Sequence, residues 1–455
     1  MSNVGRTRPV RAILRILEKR DAKIHFIGLL GAGMLPLAEL LAERGFTVSG
    51  SDAREAQRPL AADITLVQRV SADSLGEVDL VVYSLAIPDT SPELSLAREL
   101  SIPTFRRAEL LGAIASLFPT SVGVAGTHGK SSVTAMLATA LAPLSPTVIC
   151  GAELGRGSGL LRGGDGVLVY EACEYKDSFL STRPTVSLLL NLELDHTDYF
   201  PDLAALSSSF SRFAASSDLT VYNADDPELE RIARERCLSA VSFGVTPMAD
   251  YRYEIVGFSD GVRFALYKHG EKICELRTHL LGAFNVTNCV AAAVTALELG
   301  VEADKVATAI ASYRGIPRRL EAVGRVRGAD VIYDYAHHPS EIRAGIDALR
   351  GAGYSRIAVV FCPHTYTRTR SLWDGFVSSL SLADRVVLTD VFAAREEAIE
   401  GISAERLADA IGERCAYADS PRRAVDILLS ERYDAVVVMG AGDLDEVKRQ
   451  LLTNS

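Results

Sequence analysis

At 455 residues the chain exceeds one ordinary core, and a prior of roughly 150 residues per domain predicts three. A net charge of −10 excludes the broadly basic face that tracks nucleic acid, and 48% hydrophobic content excludes a disordered chain. The seven cysteines are odd in number and never spaced C-x-x-C, which excludes a disulfide framework and a zinc ribbon and fits a reducing cytoplasm.

The stretch from Arg6 to Arg20 predicts a short amphipathic helix with Val10, Ile13, Leu14 and Leu17 on one side, without the apolar core of a secretory peptide. No later segment reaches ~18 uncharged apolar residues, so no membrane span is expected. Lys23 to Ile27 reads as a strand, followed by the turn Gly28, Leu29, Leu30, Gly31, Ala32, Gly33, Met34 and a helix from Pro36 to Glu43. A second strand, Thr47 to Ser51, ends at Asp52, about twenty residues beyond the glycines, as in dinucleotide-type βαβ units. The glycine spacing is G-x-x-G-x-G, a weak signal for a nicotinamide cofactor and a fair one for a diphosphate on a helix N-terminus. Asp52 fits either a ribose hydroxyl or a loop cap. A strand at Val78 to Ser84 and a helix at Pro92 to Leu100 follow, and Ile102 to Phe105 with Arg107 to Leu110 closes this unit, with a boundary near Pro119.

The apolar run Ser121 to Ala125 then leads into Gly126, Thr127, His128, Gly129, Lys130, Ser131 and Ser132, and on to a helix-prone segment. Strand, glycine-rich turn and helix form a phosphate cradle in which Lys130 supplies charge and the Ser131 hydroxyl ligates Mg²⁺. Val124 stands where a full P-loop has its first glycine, so this is a short variant. Gly155 to Gly166 reads as a mobile glycine-rich loop. Strands from Val167 to Tyr170 and Thr185 to Leu190 deliver Glu171 and His196 to the sheet edge where such folds bind ligands. With Ser131 they make a candidate metal set of the sparse kind used beside phosphates.

Residues 251 to 277 alternate as a hairpin around Ser259, Asp260 and Gly261, and Gly282 opens a long alanine-rich helix. Asn285 near its start reads as a cap. After a turn-rich boundary at Arg314 to Glu321 the pattern alternates strand and helix, including one helix from Leu372 to Leu382, and predicts a third α/β unit. Three strand ends carry polar clusters: Asp334 to Pro339 with His337 and His338, Pro363 to Arg370, and Gly440 to Asp443. Arg368 and Arg370 are candidates for a phosphate or carboxylate clamp.

The segments HFIGLLGAGM, VSGSD, AGTHGKSS, EACEYKDSFL, NLELDHTDYF, GIPRRLE, YDYAHHPSEI, PHTYTRTR and MGAGDL occur in the order found in one family. In these the chain resembles the Mur ligases, the ATP-dependent amide ligases of peptidoglycan precursor assembly, and most of all the member joining L-alanine to UDP-N-acetylmuramate. The resemblance implies an α/β fold of three domains. Residues 21–118 would be Rossmann-like and bind the UDP-sugar, 119–313 a central ATPase-like mixed sheet with an antiparallel section, and 314–455 Rossmann-like again. It implies ATP and Mg²⁺ as cofactors, no nucleic acid or membrane partner, and a monomer or homodimer.

By that likeness Lys130 and Ser131 handle phosphates and a first Mg²⁺, and Glu171 and His196 a second. Asn285, Arg319 and Asp334 would contact the nucleotide, and Gly28, Gly31, Ala32, Gly33, Met34 and Asp52 the sugar nucleotide. His337, His338, Arg368 and Arg370 would face the muramyl and amino acid substrates, with His196 or a paired histidine accepting the amine proton. The sequence departs from the family at Ser131 and Ser132 for Thr-Thr, at Leu30 for a glycine, at Phe284 for a histidine, and in the short stretch Arg54 to Ser74. Alternatives are the murein tripeptide ligase of the same family, a nicotinamide-dependent sugar-nucleotide oxidoreductase, and a non-catalytic paralogue.

Overall fold

The computed structural model describes residues 8–56, 59–60, 63–155, 157–394, 396–442 and 444–454. Arg6, part of the Arg54 to Ser74 stretch, Arg156 in the glycine-rich segment and Asp443 lie outside the described residues. Three sheets follow one another along the chain.

The first unit opens with helix α1 (Arg8–Leu17), whose Val10, Ile13 and Leu14 are buried. Its sheet contains β1 (Lys23–Ile27), β2 (Thr47–Ser51), β3 (Ile64–Leu66), β4 (Leu80–Tyr83) and β5 (Thr104–Arg106), in the all-parallel order 3-2-1-4-5. Helices α2 (Leu35–Glu43), α3 (Ala72–Leu75), α4 (Pro92–Glu99) and α5 (Arg107–Ala115) complete it. Ile24 and Phe26 join one apolar layer and Ile27 the other, the two-sided burial that parallel sheets require.

The central sheet has ten strands: β6 (Thr120–Ala125), β7 (Thr147–Ile149), β8 (Leu160–Leu161), β9 (Val167–Glu171), β10 (Val186–Leu189), β11 (Leu219–Asn223), β12 (Ala240–Gly244), β13 (Tyr251–Gly257), β14 (Val262–Lys268) and β15 (Glu271–Thr278). Their order is 15-14-13-12-11-10-6-9-7-8, parallel in the middle and antiparallel at both ends. Helices α6 (Lys130–Ala140), α9 (Ala283–Glu298) and α10 (Ala303–Ser312) pack on one face, with α7 (Leu203–Ala214) and α8 (Pro227–Arg236) on the other.

One expectation is corrected here. The Gly155 to Gly166 segment carries strand β8, paired antiparallel with β7, and Ser158 hydrogen-bonds Glu39 of α2. Two of its glycines serve close packing: a Cβ on Gly159 would run into the Cys150 carbonyl and one on Gly163 into that of Pro146.

The third sheet, ordered 16-17-21-18-19-20, holds β16 (Glu321–Val326), β17 (Ala329–Asp334), β18 (Ile357–Phe361), β19 (Arg385–Leu388), β20 (Cys415–Tyr417) and β21 (Ala435–Met439). Helices α11 (Pro339–Gly351), α12 (Tyr366–Ser371), α13 (Trp373–Leu380), α14 (Ala404–Ile411), α15 (Pro421–Leu428) and α16 (Asp445–Thr453) cover its two faces. Edge strand β16 escaped the sequence pattern because only Val326 of its six residues is buried. The helix expected from Leu372 to Leu382 is α13, and the polar cluster ahead of it, expected only as a strand end, forms the separate short helix α12. No described helix is long and apolar enough to cross a membrane, and all seven cysteines are free.

Candidate functional site

The phosphate loop is fixed by hydrogen bonds to the segment after β10. Thr127 Oγ1 donates to the Glu193 carbonyl at 2.8 Å and accepts the Glu193 N–H at 2.9 Å. The His128 N–H donates to Asn191 Oδ1 at 2.8 Å, and Asn191 Nδ2 returns a bond to the His128 carbonyl at 3.1 Å. Gly129, with φ of +84°, caps α6; a Cβ there would lie 3.0 Å from Asn288 Oδ1, so glycine is needed for both conformation and space.

Lys130 opens α6. Its Nζ donates to the Gly126 carbonyl at 2.5 Å and the Thr127 carbonyl at 3.1 Å, and meets the buried Glu174 carboxylate at 3.0 Å. Burial opposes its charge, yet Glu174 and its neighbours hold the ammonium above the ordinary lysine value; burial likewise opposes ionisation of Glu174, and Lys130 holds it below the carboxylate value. The pair is therefore ionic. His196 Nε2 lies 3.6 Å from the same carboxylate, and His196 has φ of +53°. Arg318, Leu320 and Thr365 also adopt positive φ beside the site, a clustering of strained backbone typical of functional sites.

Glu171 ends β9, with Oε1 accepting from the Cys150 thiol at 2.9 Å; burial pushes that thiol well above its usual value and keeps it protonated. Glu171, Ser131 and His196 line one cavity of about 510 Å³, together with Lys130, Arg319 and His337. Ala32 of the first unit lines it too, so three sheets meet there. The carboxylate and hydroxyl are the hard oxygen donors that Mg²⁺ takes, with most of its shell left to water and phosphate.

A second cavity, of about 220 Å³, shares His128, Gly129, Arg319 and Glu341 with the first. It is lined by Asn285, Phe284, Tyr313, Ile316 and Asp334 as well, which makes an apolar slot with a few convergent polar groups. The cap expected of Asn285 is corrected: Gly282 is the N-cap of α9, and Asn285 sits inside the helix, donating to the Leu281 carbonyl at 2.8 Å and accepting from Asn288 at 3.3 Å. Burial pushes Asp334 up to about 7, against the opposing charge of Arg319. The substituted Phe284 faces this same cavity.

Gly28, Gly31, Gly33 and Met34 lie outside both cavities, on the first unit's own loop. Asp52 Oδ2 accepts the Leu30 N–H at 2.9 Å and its carboxylate pairs with Arg54 at 3.1 Å, so it braces the glycine turn. His338 caps α11: its Nδ1 accepts the Ser340 N–H at 3.3 Å, and it lines neither cavity. Arg368 and Arg370 are not brought together, because residues two apart on a helix point to different sides. Arg368 forks onto Asp195 at 3.0 and 3.2 Å across the central and third units, while Arg370 is exposed. Burial resists ionisation of Asp195, and Arg368 holds it far below the usual carboxylate range.

Sequence reasoning missed Glu174, Glu193, Asp195 and Glu341. Glu341 had a legible signal, the capping-box spacing from His338, and its Oε2 does accept the His337 and His338 N–H groups at 3.0 and 3.3 Å. The other three sit beside residues already singled out, and only tertiary contacts separate them from ordinary surface acids.

Comparison with known proteins agrees along nearly the whole chain. Residues 23–119 match the model for the Mur ligase family catalytic domain, 124–296 the Mur ligase middle domain, and 318–442 the Mur ligase glutamate ligase domain. A UDP-N-acetylmuramate–L-alanine ligase of Clostridium novyi (strain NT) is 36% identical over 453 residues, spanning 96% of this chain and 98% of its own. Another of that name from Agathobacter rectalis is 37% identical over 446 residues, covering 94% and 97%. The crystal structure of the UDP-N-acetylmuramate–alanine ligase of Thermotoga maritima superposes with a TM-score of 0.79 at 26% identity, covering 95% of this chain and 98% of that one. With full-length relatives above one-third identity and all three domain models matched in order, the chain belongs to the Mur ligase family.

Proposed function

We propose that this protein joins L-alanine to the carboxylate of UDP-N-acetylmuramate at the expense of ATP, through an acyl phosphate, in the cytoplasmic assembly of peptidoglycan precursors. The observation that carries this reading is the shared cavity in which Lys130, Glu171, His196, Arg319, His337 and Ala32 converge from three units. A ligase of two substrates and a nucleotide needs such a junction. In the first step a carboxylate oxygen bonds to the γ-phosphorus and ADP leaves; in the second the amine nitrogen bonds to the acyl carbon and phosphate leaves.

Lys130 draws two anions together and offsets charge on the moving phosphoryl group. Ser131, Glu171 and His196 are the residues that would hold Mg²⁺, which supplies further charge neutralisation when bound. The neighbouring slot takes the nucleoside, with Asn285, Arg319 and Asp334 as its polar contacts. His337 is a candidate proton acceptor by position: it lines the cavity, its Nδ1 donates to the Tyr335 carbonyl at 3.1 Å and leaves Nε2 to accept, and burial, which lowers it to about 4, keeps the ring neutral while making it a weak base.

The test is ADP release with UDP-N-acetylmuramate against L-alanine, glycine, L-serine and the murein tripeptide. Preferred turnover of L-alanine is expected; preference for the tripeptide, or no acceptor-dependent ADP, would overturn the reading.

A further inference from the structure

His128 lies in the glycine-rich loop, and its ring is held by carboxylates from two units. Its Nδ1 lies 3.1 Å from Glu341 Oε1 on α11 of the third unit, and its Nε2 lies 3.0 Å from Glu193 Oε2 in the central unit. A carboxylate only accepts, so both ring nitrogens donate and the ring is an imidazolium. Ser340 Oγ, beside Glu341, hydrogen-bonds Glu193 at 2.6 Å and 2.5 Å, and the His338 ring stands 4.9 Å from that of His128. His128 also lines both the phosphate-side cavity and the nucleoside slot.

We propose that His128 is a positioning residue: a charged strut, clamped between Glu193 and Glu341, that holds the third unit against the phosphate loop and so forms the composite nucleotide site. The inference rests on the nucleotide reading above, though not on which amine is the acceptor. Removing the charge at His128 leaves Glu193 and Glu341 facing one another without a cation between them, and like charges at this range drive the units apart. The groups facing His128 are Glu193, Glu341 and His338, and through Glu341 also His337 at 3.3 Å and Arg319 at 3.9 Å. Burial opposes the imidazolium, yet Glu341 and Glu193 raise it to about 9. Relative to an open form with an ordinary histidine, the clamp is complete below about 6.5 and is lost as pH rises through about 9.

The experiment compares full-length His128→Gln, Glu341→Gln and the double variant with the parent. It measures the radius of gyration by small-angle scattering, binding of a non-hydrolysable ATP analogue by calorimetry, and steady-state ADP release. His128→Gln is expected to expand the protein, weaken the analogue by about tenfold or more and raise KM for ATP more than it lowers kcat. The double variant is expected to recover part of both losses, because neutralising Glu341 removes the repulsion, and a merely structural role would not give that recovery. Additive losses in the double variant, or a kcat defect with unchanged scattering and analogue affinity, would overturn the proposal. Failure of the parent to bind the analogue would instead sink the nucleotide reading, while scattering without nucleotide still reads the strut; circular dichroism separates either outcome from misfolding.

Discussion

Two glycine-rich turns in this chain share one plan, a parallel strand feeding a helix through a loop, and differ in what surrounds them. At Gly28 to Met34 the turn is braced by an aspartate: Asp52 accepts the Leu30 N–H, and burial of that carboxylate is outweighed by the hydrogen bond from Arg54, which holds it below its ordinary value. No lysine lies within that loop. At Gly126 to Ser132 the loop carries its own cation, set against the buried Glu174, with His196 Nε2 3.6 Å from the same carboxylate. The first turn offers backbone and a helix end; the second adds buried, fixed charges where solvent screening is weak. Backbone geometry suffices to bind a diphosphate, whereas moving a phosphoryl group demands preorganised charge.

The sharpest way to break that contrast is Lys130→Ala. We expect ADP formation to fall by about 1,000-fold or more, since the charge acts on the transferred group in the transition state. UDP-N-acetylmuramate affinity, measured by calorimetry, should stay within about twofold because Lys130 and the first turn belong to different units. Equal loss of both would mean that the two loops form one site.

Asp52→Asn probes the other turn. It keeps the shape and removes the charge that braces Leu30 and pairs with Arg54. A charge-assisted hydrogen bond contributes about 1.5–3 kcal/mol, so the expected outcome is a rise of about tenfold or more in KM for the sugar nucleotide with kcat nearly unchanged. A fall in kcat at constant KM would place this carboxylate in the chemistry.

Strand and helix pattern made most of this organisation legible. The apolar runs of β6, β9 and β10 are buried throughout, as central parallel strands must be, and they could be read directly from the sequence. Lys130, Glu171 and His196 followed from strand ends. What was not legible depended on contacts between distant segments. Glu174 stands three residues after Glu171, and only its burial against Lys130 marks it out. Arg368 and Arg370 look equivalent in sequence, and the short helix α12 turns one onto Asp195 and the other into solvent. Gly159 and Gly163 looked like flexibility because a sequence does not show which carbonyl lies against them.

The third unit repeats the strand-end aspartate with the opposite electrostatics, and this gives the smallest and most specific test. Asp334 ends β17 as Asp52 follows β2, but burial pushes Asp334 up to about 7 while Arg54 helps to hold Asp52 down. A carboxyl raised from 3.8 to about 7 stabilises the fold fully below 3.8 and loses that contribution as pH rises through 7. Asp334→Asn is uncharged throughout. Its melting temperature, relative to the parent, should therefore be higher at pH 8 by ~2–4 °C for each kcal/mol relieved, and the gap should close toward pH 4. Calorimetric melts at the two pH values check this, and a gap that widens on acidification would show that Arg319 keeps Asp334 ionised. The same variant should weaken ATP-analogue binding at pH 8 by about three- to tenfold if Asp334 accepts a hydrogen bond from the nucleotide. An unchanged affinity would confine this aspartate to the fold and leave Asn285 and Arg319 as the polar contacts of the slot.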